Sequence, residues 1–424
     1  MVRRLMRAPI HNVSRAAPSV SCAVRPRRPP CGRTARARAR ALVGCFSAAL
    51  VVASAREAEA QQCSNPLTSS CINADSFWPN AGPQRFAAVS GTETVAERQV
   101  AFGLVTTYLS RPVVLRLASP GPGGSNQSVV DNQVTSNFLF AYGVTDRLQL
   151  DLALPITLVQ SGAGTSPLTG GKDLRNTAVR DMRFGFAYAI VPRDRNDPND
   201  LERTGGAGHA FAVTARFDVS APIGDNSDFA GERTAVYVPS LGGDYRWRRF
   251  FFGAEVGARI RPVTEFAGAR IGTQLTTSAG AGFDVLKNDH LSVLLEAHSY
   301  FNFVEQHDTQ QSDLGIVSRP NGNHITPAEW MLGVRSAPLL AGDISFYAGG
   351  GGPFPGSDAA ITVPRFRFDL GITYAPMRRD TDGDGVPDRI DRCPSQPGEK
   401  GGEKPGCPKA PEPTPPDPEP KAEP

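Results

Sequence analysis

The sequence predicts an all-β fold, an antiparallel transmembrane β-barrel of about twelve strands. Three observations predict it. Apolar and polar residues alternate with period two through residues 98–375, long and short connections alternate between the resulting strands, and an export signal stands ahead of them. Period-two alternation places one set of side chains on each face of a strand.

The first 60 residues read as a signal peptide with a long basic n-region. Arg33, Arg36, Arg38 and Arg40 end the positive stretch, an apolar run follows from Ala41 to Ala55, and Ala58-Glu59-Ala60 supplies the small-x-small cleavage pattern. The run is too short to span a bilayer as a helix, and Arg56 and Glu57 follow at once, against a signal anchor. Of the formal charge of +3, the leader holds 12 Arg and 2 Glu. That leaves 33 basic and 40 acidic residues beyond it, a net −7, so the basic balance belongs to the leader and no nucleic-acid partner is expected.

Four cysteines follow the leader, Cys63, Cys71, Cys393 and Cys407, in two close pairs at opposite ends of the chain. An exported protein meets an oxidising compartment, and of the three connectivities proximity favours 63–71 with 393–407. Thiolate metal binding is the weaker alternative, since no CxxC spacing occurs. Residues 61–97 are expected to form a periplasmic N-terminal segment.

The barrel is predicted over 98–376. Its strands lie near 98–109, 133–142, 148–157, 180–190, 209–221, 237–245, 250–260, 272–283, 290–300, 328–336, 343–349 and 364–375. The clearest has Leu148, Leu150, Leu152, Leu154 and Ile156 on one face and Gln149, Asp151, Ala153, Pro155 and Thr157 on the other. A soluble sandwich also alternates, but three features favour a membrane barrel. The stripes match the roughly 9–11 residues a tilted strand needs to cross a bilayer. The second face carries Gly and charges such as Asp181/Arg183, Arg216/Asp218 and Glu255/Arg259, which suit a wet lumen. Long connections near 110–132, 158–179, 222–236, 261–271, 301–327 and 350–363 alternate with short ones near 143–147, 246–249, 284–289 and 337–342. The connection 191–208 breaks the parity. With that exception both chain ends are expected on the periplasmic side.

Gly143-Val144-Thr145-Asp146-Arg147 with the alternating run after it, and Asp181-Met182-Arg183-Phe184-Gly185-Phe186, resemble the turn and strand signatures of outer-membrane transporter barrels. Asp369-x-Gly371-x-x-Tyr374 resembles the C-terminal signal read by the barrel-assembly machinery, departing at Pro376. The resemblance implies outer-membrane lipid around the barrel and that machinery as a partner.

Behind the barrel comes Asp380-Thr381-Asp382-Gly383-Asp384-Gly385-Val386-Pro387-Asp388, then Asp391 and Cys393-Pro394. Carboxylates at alternate positions around a Gly turn converge on one hard cation in the manner of an EF-hand loop, which points to Ca²⁺. Asp380, Asp382, Asp384 and Asp391 offer carboxylates and Val386 its carbonyl. The stretch 378–408 resembles the thrombospondin type-3 repeat, down to the closing Gly406-Cys407-Pro408, and in that family Asp388 also contributes. Such a repeat joins a barrel to a peptidoglycan-binding domain in the outer-membrane-protein-A-like family. Here Lys409–Pro424 follows, Pro-rich and charged, and is expected to be a disordered tail toward a periplasmic or peptidoglycan-associated partner.

No catalytic site is expected. His209, His290, His298, His307 and His324 sit in no nucleophile or metal motif, and Glu296 with His298 reads as a hydrogen-bonded pair on the lumen face. Gly349–Gly352 ends a strand without a following helix and reads as a loop. The function expected is an outer-membrane channel or transporter with a calcium-binding periplasmic extension. The alternative is a structural envelope anchor with a plugged barrel, and a barrel enzyme ranks third.

Overall fold

The computed structural model describes residues 63, 67–117, 125–166, 173–193, 211–286, 291–312, 315–336, 339, 343–355, 361–376, 381–384, 386, 388, 391–399 and 404–408, all within one compact unit, Ala53–Pro424. The predicted signal peptide and the tail from Lys409 lie outside the described residues. No helix among the described residues is long and apolar enough to cross a membrane.

Seventeen strands form among the described residues. They are β1 (Val100–Leu117), β2 (Ser125–Gly143), β3 (Leu148–Ser161), the two-residue β4 (Ala178–Val179), β5 (Arg183–Val191), β6 (Phe211–Ser220), β7 (Val236–Trp247) and β8 (Phe250–Arg259). Then come β9 (Thr264–Phe266), β10 (Ala269–Ile271), β11 (Gln274–Asp284), β12 (Leu291–Asn302), β13 (His307–Ser312), β14 (Gly315–Pro320), β15 (Ala328–Ser336), β16 (Ile344–Pro353) and β17 (Phe366–Tyr374). Twelve of them pair in the antiparallel order β2-β1-β17-β16-β15-β12-β11-β8-β7-β6-β5-β3, and β3 pairs back to β2, so the sheet closes. Closure satisfies every ladder edge, the condition a sheet must meet in lipid. The seam joins the two ends of the barrel sequence, from Phe102↔Tyr374 to Ser110↔Phe366.

The alternation read from the sequence sets the faces. Outward residues such as Leu295, Leu370 and Phe252 are 55%, 50% and 43% exposed, whereas their inward neighbours Glu296 and Arg367 are 2% and 0% exposed. Exposed Phe102, Tyr142, Tyr188, Trp247, Phe250 and Tyr374 cluster near the short-turn end, and Tyr237, Phe301, Trp330 and Phe366 near the other. Two aromatic girdles around an apolar band are the exterior of a membrane barrel.

Two connections depart from the reading. The predicted long loop 110–132 is mostly strand, because β1 and β2 continue pairing out to Leu117↔Ser125 through Val113↔Val130 and Val114↔Ser128, with a register shift at Val129. Gly349–Gly352 lies within β16 and not in a loop, because its backbone pairs with β15 and β17, which needs no side chain. The long connections carry structure of their own, the hairpins β9–β10 and β13–β14. Most of the irregular 191–208 connection lies outside the described residues.

The largest correction concerns the N-terminal segment. At one end Thr68 bridges to Phe266 of β9, and Ile72 packs with Val113, Val129, Phe229 and Phe266 where the long connections gather. At the other end Thr94 and Glu97 hydrogen-bond Asp146 in a short turn, and the Arg98 N–H donates to the Gly143 carbonyl before β1 begins. Residues 67–97 therefore run through the lumen from the long-connection end to the short-turn end, and do not form a separate periplasmic segment. The described start of the chain and the end of β17 lie at opposite ends of the barrel, against the expectation that both share one side. The physical reason is that the charged inner wall cannot satisfy itself, and an irregular segment supplies its partners.

Candidate functional site

The lumen is the first candidate site. An irregular chain leaves its N–H and C=O groups without a ladder, and each must find a partner. The wall provides them by sign. Guanidiniums meet residues 73–79: Arg259 Nη2 donates to the Ser76 carbonyl at 3.1 Å, Arg183 Nη2 to the Pro79 carbonyl at 3.4 Å, and Arg180 Nη2 to the Asp75 carbonyl at 2.6 Å. Carboxylates meet residues 87–92. Glu296 accepts the Ala87 and Ala88 N–H groups at 2.9 and 2.6 Å, Glu255 accepts that of Ser90 at 2.9 Å, and Asp244 accepts the Thr92 hydroxyl at 2.7 Å.

Asp75 is the most heavily coordinated group of the segment and is fully buried. Its carboxylate takes Arg367 Nη2 and the Phe77 N–H, each at 3.0 Å, and Arg180 Nη1 at 3.2 Å. Arg367 in turn grips Glu329 at 2.8 and 3.2 Å and lies over the Phe77 ring. Arg183 and Arg259 both stack on Trp78, 5.0 and 4.5 Å from its ring centroid.

A second anchor is apolar. Phe86 enters a slot between β8 and β11 where Gly253 pairs with Gly280. A Cβ at Gly253 would stand 2.8 Å from the Phe86 ring and one at Gly280 2.7 Å, so the ring fits because both side chains are missing. Phe251, Val89 and Leu294 complete the cluster.

The charge pairs read along single strands are not the pairs formed. Arg216 of β6 reaches over β5 to bind Asp151 of β3 at 3.0 Å, Asp181 accepts the Gly224 and Glu232 N–H groups at 2.8 and 2.7 Å, and Arg183 and Glu255 turn to the N-terminal segment. Glu296 and His298 also go separate ways. His298 stands 3.6 Å from Glu329 and beside the rings of Phe77 and Tyr300, while Glu296 holds backbone. His307 contacts Ser318, Arg270 and Glu265 on the β13–β14 side, His324 meets the Asn302 carbonyl, and His209 and His290 lie outside the described residues. A cavity of about 70 Å³ remains between segment and wall, bordered by Trp78, Ser90, Glu255, Arg259, His298 and Tyr300. Asp75, Trp78 and Phe86 escaped the sequence reading. Their only mark is three aromatic residues, Phe77, Trp78 and Phe86, in a stretch without periodicity.

The acidic run is the second candidate. One carboxylate oxygen each of Asp382, Asp384 and Asp391 lies within 4.8 Å of the others, and Gly383, at φ +76°, turns the chain between the first two. The Val386 N–H donates to Asp384 at 2.7 Å, and the Cys393 N–H to Asp391 at 2.7 Å. Asp388 is brought instead to Thr381, whose N–H and hydroxyl each donate to it at 2.7 Å. Asp380 lies outside the described residues. Two disulfides form, Cys393–Cys407 beside this loop and Cys63–Cys71 at the start of the lumen segment, in the pairing expected from proximity.

A closed twelve-strand antiparallel barrel with an apolar, aromatic-belted exterior and a charged interior is an outer-membrane β-barrel. No protein family and no curated protein matches the sequence. Solved structures similar to it include an outer membrane channel from Pseudomonas putida F1, at 13% identity and TM-score 0.44 over 67% of this chain and 98% of that one. Others are the NanC porin, at 7% identity and TM-score 0.38 over 64% and 98%, and the KdgM porin in complex with disordered oligogalacturonate, at 9% and 0.34 over 65% and 99%.

Proposed function

We propose that this protein is an outer-membrane channel whose own N-terminal segment closes the lumen, followed by a calcium-binding extension. The observation that carries the reading is the chemistry of the segment's seat. A permanent filling is best built from apolar side chains, since buried ion pairs often contribute less than well-packed hydrophobic groups of equal volume. Here the wall presents Arg180, Arg183, Arg216, Asp218, Glu255, Glu296 and Arg367, which a water-filled lumen also accommodates once the segment leaves. Hydrogen bonds to wall charges can be exchanged for hydrogen bonds to water, whereas an apolar wall would resist wetting. Single-channel conductance in planar bilayers tests the reading: the full chain should be mostly closed with rare openings, and a chain lacking residues 67–97 should be open. A folded, silent deletion variant would refute it.

The alternative of a closed structural anchor draws on one observation, that the segment packs against the wall from Phe77 and Trp78 to Phe86 and Val89, with a cavity of about 70 Å³ beside Trp78. The same deletion variant separates the two. The long-connection end is assigned to the cell exterior, by the rule that outer loops are long and periplasmic turns short. A tag within 301–327 should then be reached on intact cells and one after Lys409 should not.

The calcium proposal is supported by the donor chemistry. Asp382, Asp384 and Asp391 converge with hard oxygens, the Val386 carbonyl is the next donor in the resembling repeat, and Asp380 and Asp388 complete its set. The calcium-loaded loop with its disulfide would form a stiff periplasmic spacer ahead of the tail, which we assign to a periplasmic or peptidoglycan-associated partner. Assembly by the barrel machinery is proposed from the β17 pattern, Asp369-x-Gly371-x-x-Tyr374.

A further inference from the structure

The seat of Asp75 has a composition that the closing role does not require. Arg367 reaches it from β17, Arg180 from just ahead of β5, and the neighbouring Trp78 is held by Arg183 of β5 and Arg259 of β8. Around the ring β17 and β8 stand five strands apart, β8 and β5 three, and β5 and β17 four. The four guanidiniums thus converge from three separate arcs of the wall on one short stretch of chain. A segment that only had to be held could be held from one side.

The donors are also in excess of what the segment uses. Buried Arg183 Nε, Arg259 Nε and Arg367 Nη1 have no hydrogen-bond partner, although all three arginines are at most 6% exposed. Arg180 hydrogen-bonds the segment at Asn73 and Asp75. When the segment leaves, Arg367 keeps Glu329 and Arg259 keeps the Tyr300 ring, but Arg180 loses Asn73 and Asp75, and Arg259 loses the Ser76 carbonyl and Trp78. A guanidinium's planar fork matches a carboxylate with two parallel hydrogen bonds, which makes such a site selective for that group over a halide.

We infer that these four arginines form a binding site for the carboxylate of an organic anion passing through the lumen, and that Asp75 is a tethered occupant of that site. The inference rests on the channel reading and adds the cargo class to it. A free carboxylate and the Asp75 carboxylate compete for the same donors, so the solute binds only the state in which the segment has left. Its binding therefore shifts the population toward the open channel. Closure is then relieved by cargo.

The test uses the full-length barrel in planar bilayers, with succinate as probe and glucose and inorganic phosphate as controls. Millimolar succinate should raise the open fraction of the parent protein several-fold, and glucose should not. Asp75→Asn keeps the shape and removes the charge, so it should open more often without any addition. Its open state should pass anions in preference to cations by reversal potential, and succinate should interrupt its chloride current. Adding Arg180→Gln and Arg259→Gln should abolish the interruption while leaving an open pore. Phosphate interrupting the current more strongly than succinate would overturn the carboxylate assignment. An open but cation-selective Asp75→Asn channel, or one that succinate affects no more than glucose, overturns the inference and leaves the channel reading standing. Silence of both Asp75→Asn and the 67–97 deletion in heat-modifiable, folded barrels removes the channel reading and this inference together.

Discussion

Phe86→Ala isolates the apolar anchor of the lumen segment. The ring is 6% exposed and lies against Phe251 with centroids 5.2 Å apart, in a slot whose floor is the Gly253–Gly280 pair. Truncating a buried Phe costs about 3–5 kcal/mol, because the lost transfer energy and the cavity left behind add. Here the segment and not the barrel bears that cost, since β8 and β11 keep their full register without the ring. At about 1.4 kcal/mol per decade, the released population should rise roughly a hundredfold to a few thousandfold. Open fraction in single-channel recordings and protease cleavage within 67–97 both read that population. Gly280→Val fills the slot from the other side and should act in the same direction, because its Cβ would stand 2.7 Å from the ring. Heat-modifiable gel migration should stay as in the parent for both. If folded Phe86→Ala remains as closed and as protease-resistant as the parent, the slot does not hold the segment.

Two further outcomes follow from the same structure. Leu152→Arg places a charge on the lipid face at a cost of about 2–4 kcal/mol near the bilayer midplane, and should impair assembly by gel migration where Leu152→Phe does not. Calorimetric titration of the full chain with Ca²⁺ should lose affinity in Asp382→Ala and Asp391→Ala and lose less in Asp388→Ala, whose carboxylate faces Thr381; no heat from the parent at millimolar Ca²⁺ would leave the loop a solvated turn.

Strand number, faces and order of connections were readable because they depend on one local rule. The lipid selects apolar residues at every second position, so Leu148 to Ile156 or Phe366 to Tyr374 announce themselves without knowledge of their neighbours. Strand ends were less readable. Val113 and Val130 pair in the extended β1–β2 ladder and are buried in one cluster with Val129 and Ile72, the last about 40 residues away in sequence from Val113. The acidic loop was legible for the same local reason as the strands, since its carboxylates lie within a dozen residues and Gly383 makes the turn.

What only the tertiary structure decided is the content of the lumen. Inward charges such as Arg180, Glu296 and Arg367 read alike whether they face water, one another or a third chain segment, because alternation reports a side chain's face and not its partner. Residues 67–97 have no period to read, since an irregular chain takes its hydrogen bonds from wherever they are offered, and the offering groups are spread around a closed ring. Asp75 meets Arg367 across 292 residues of sequence, a contact that exists only once the barrel has closed around it.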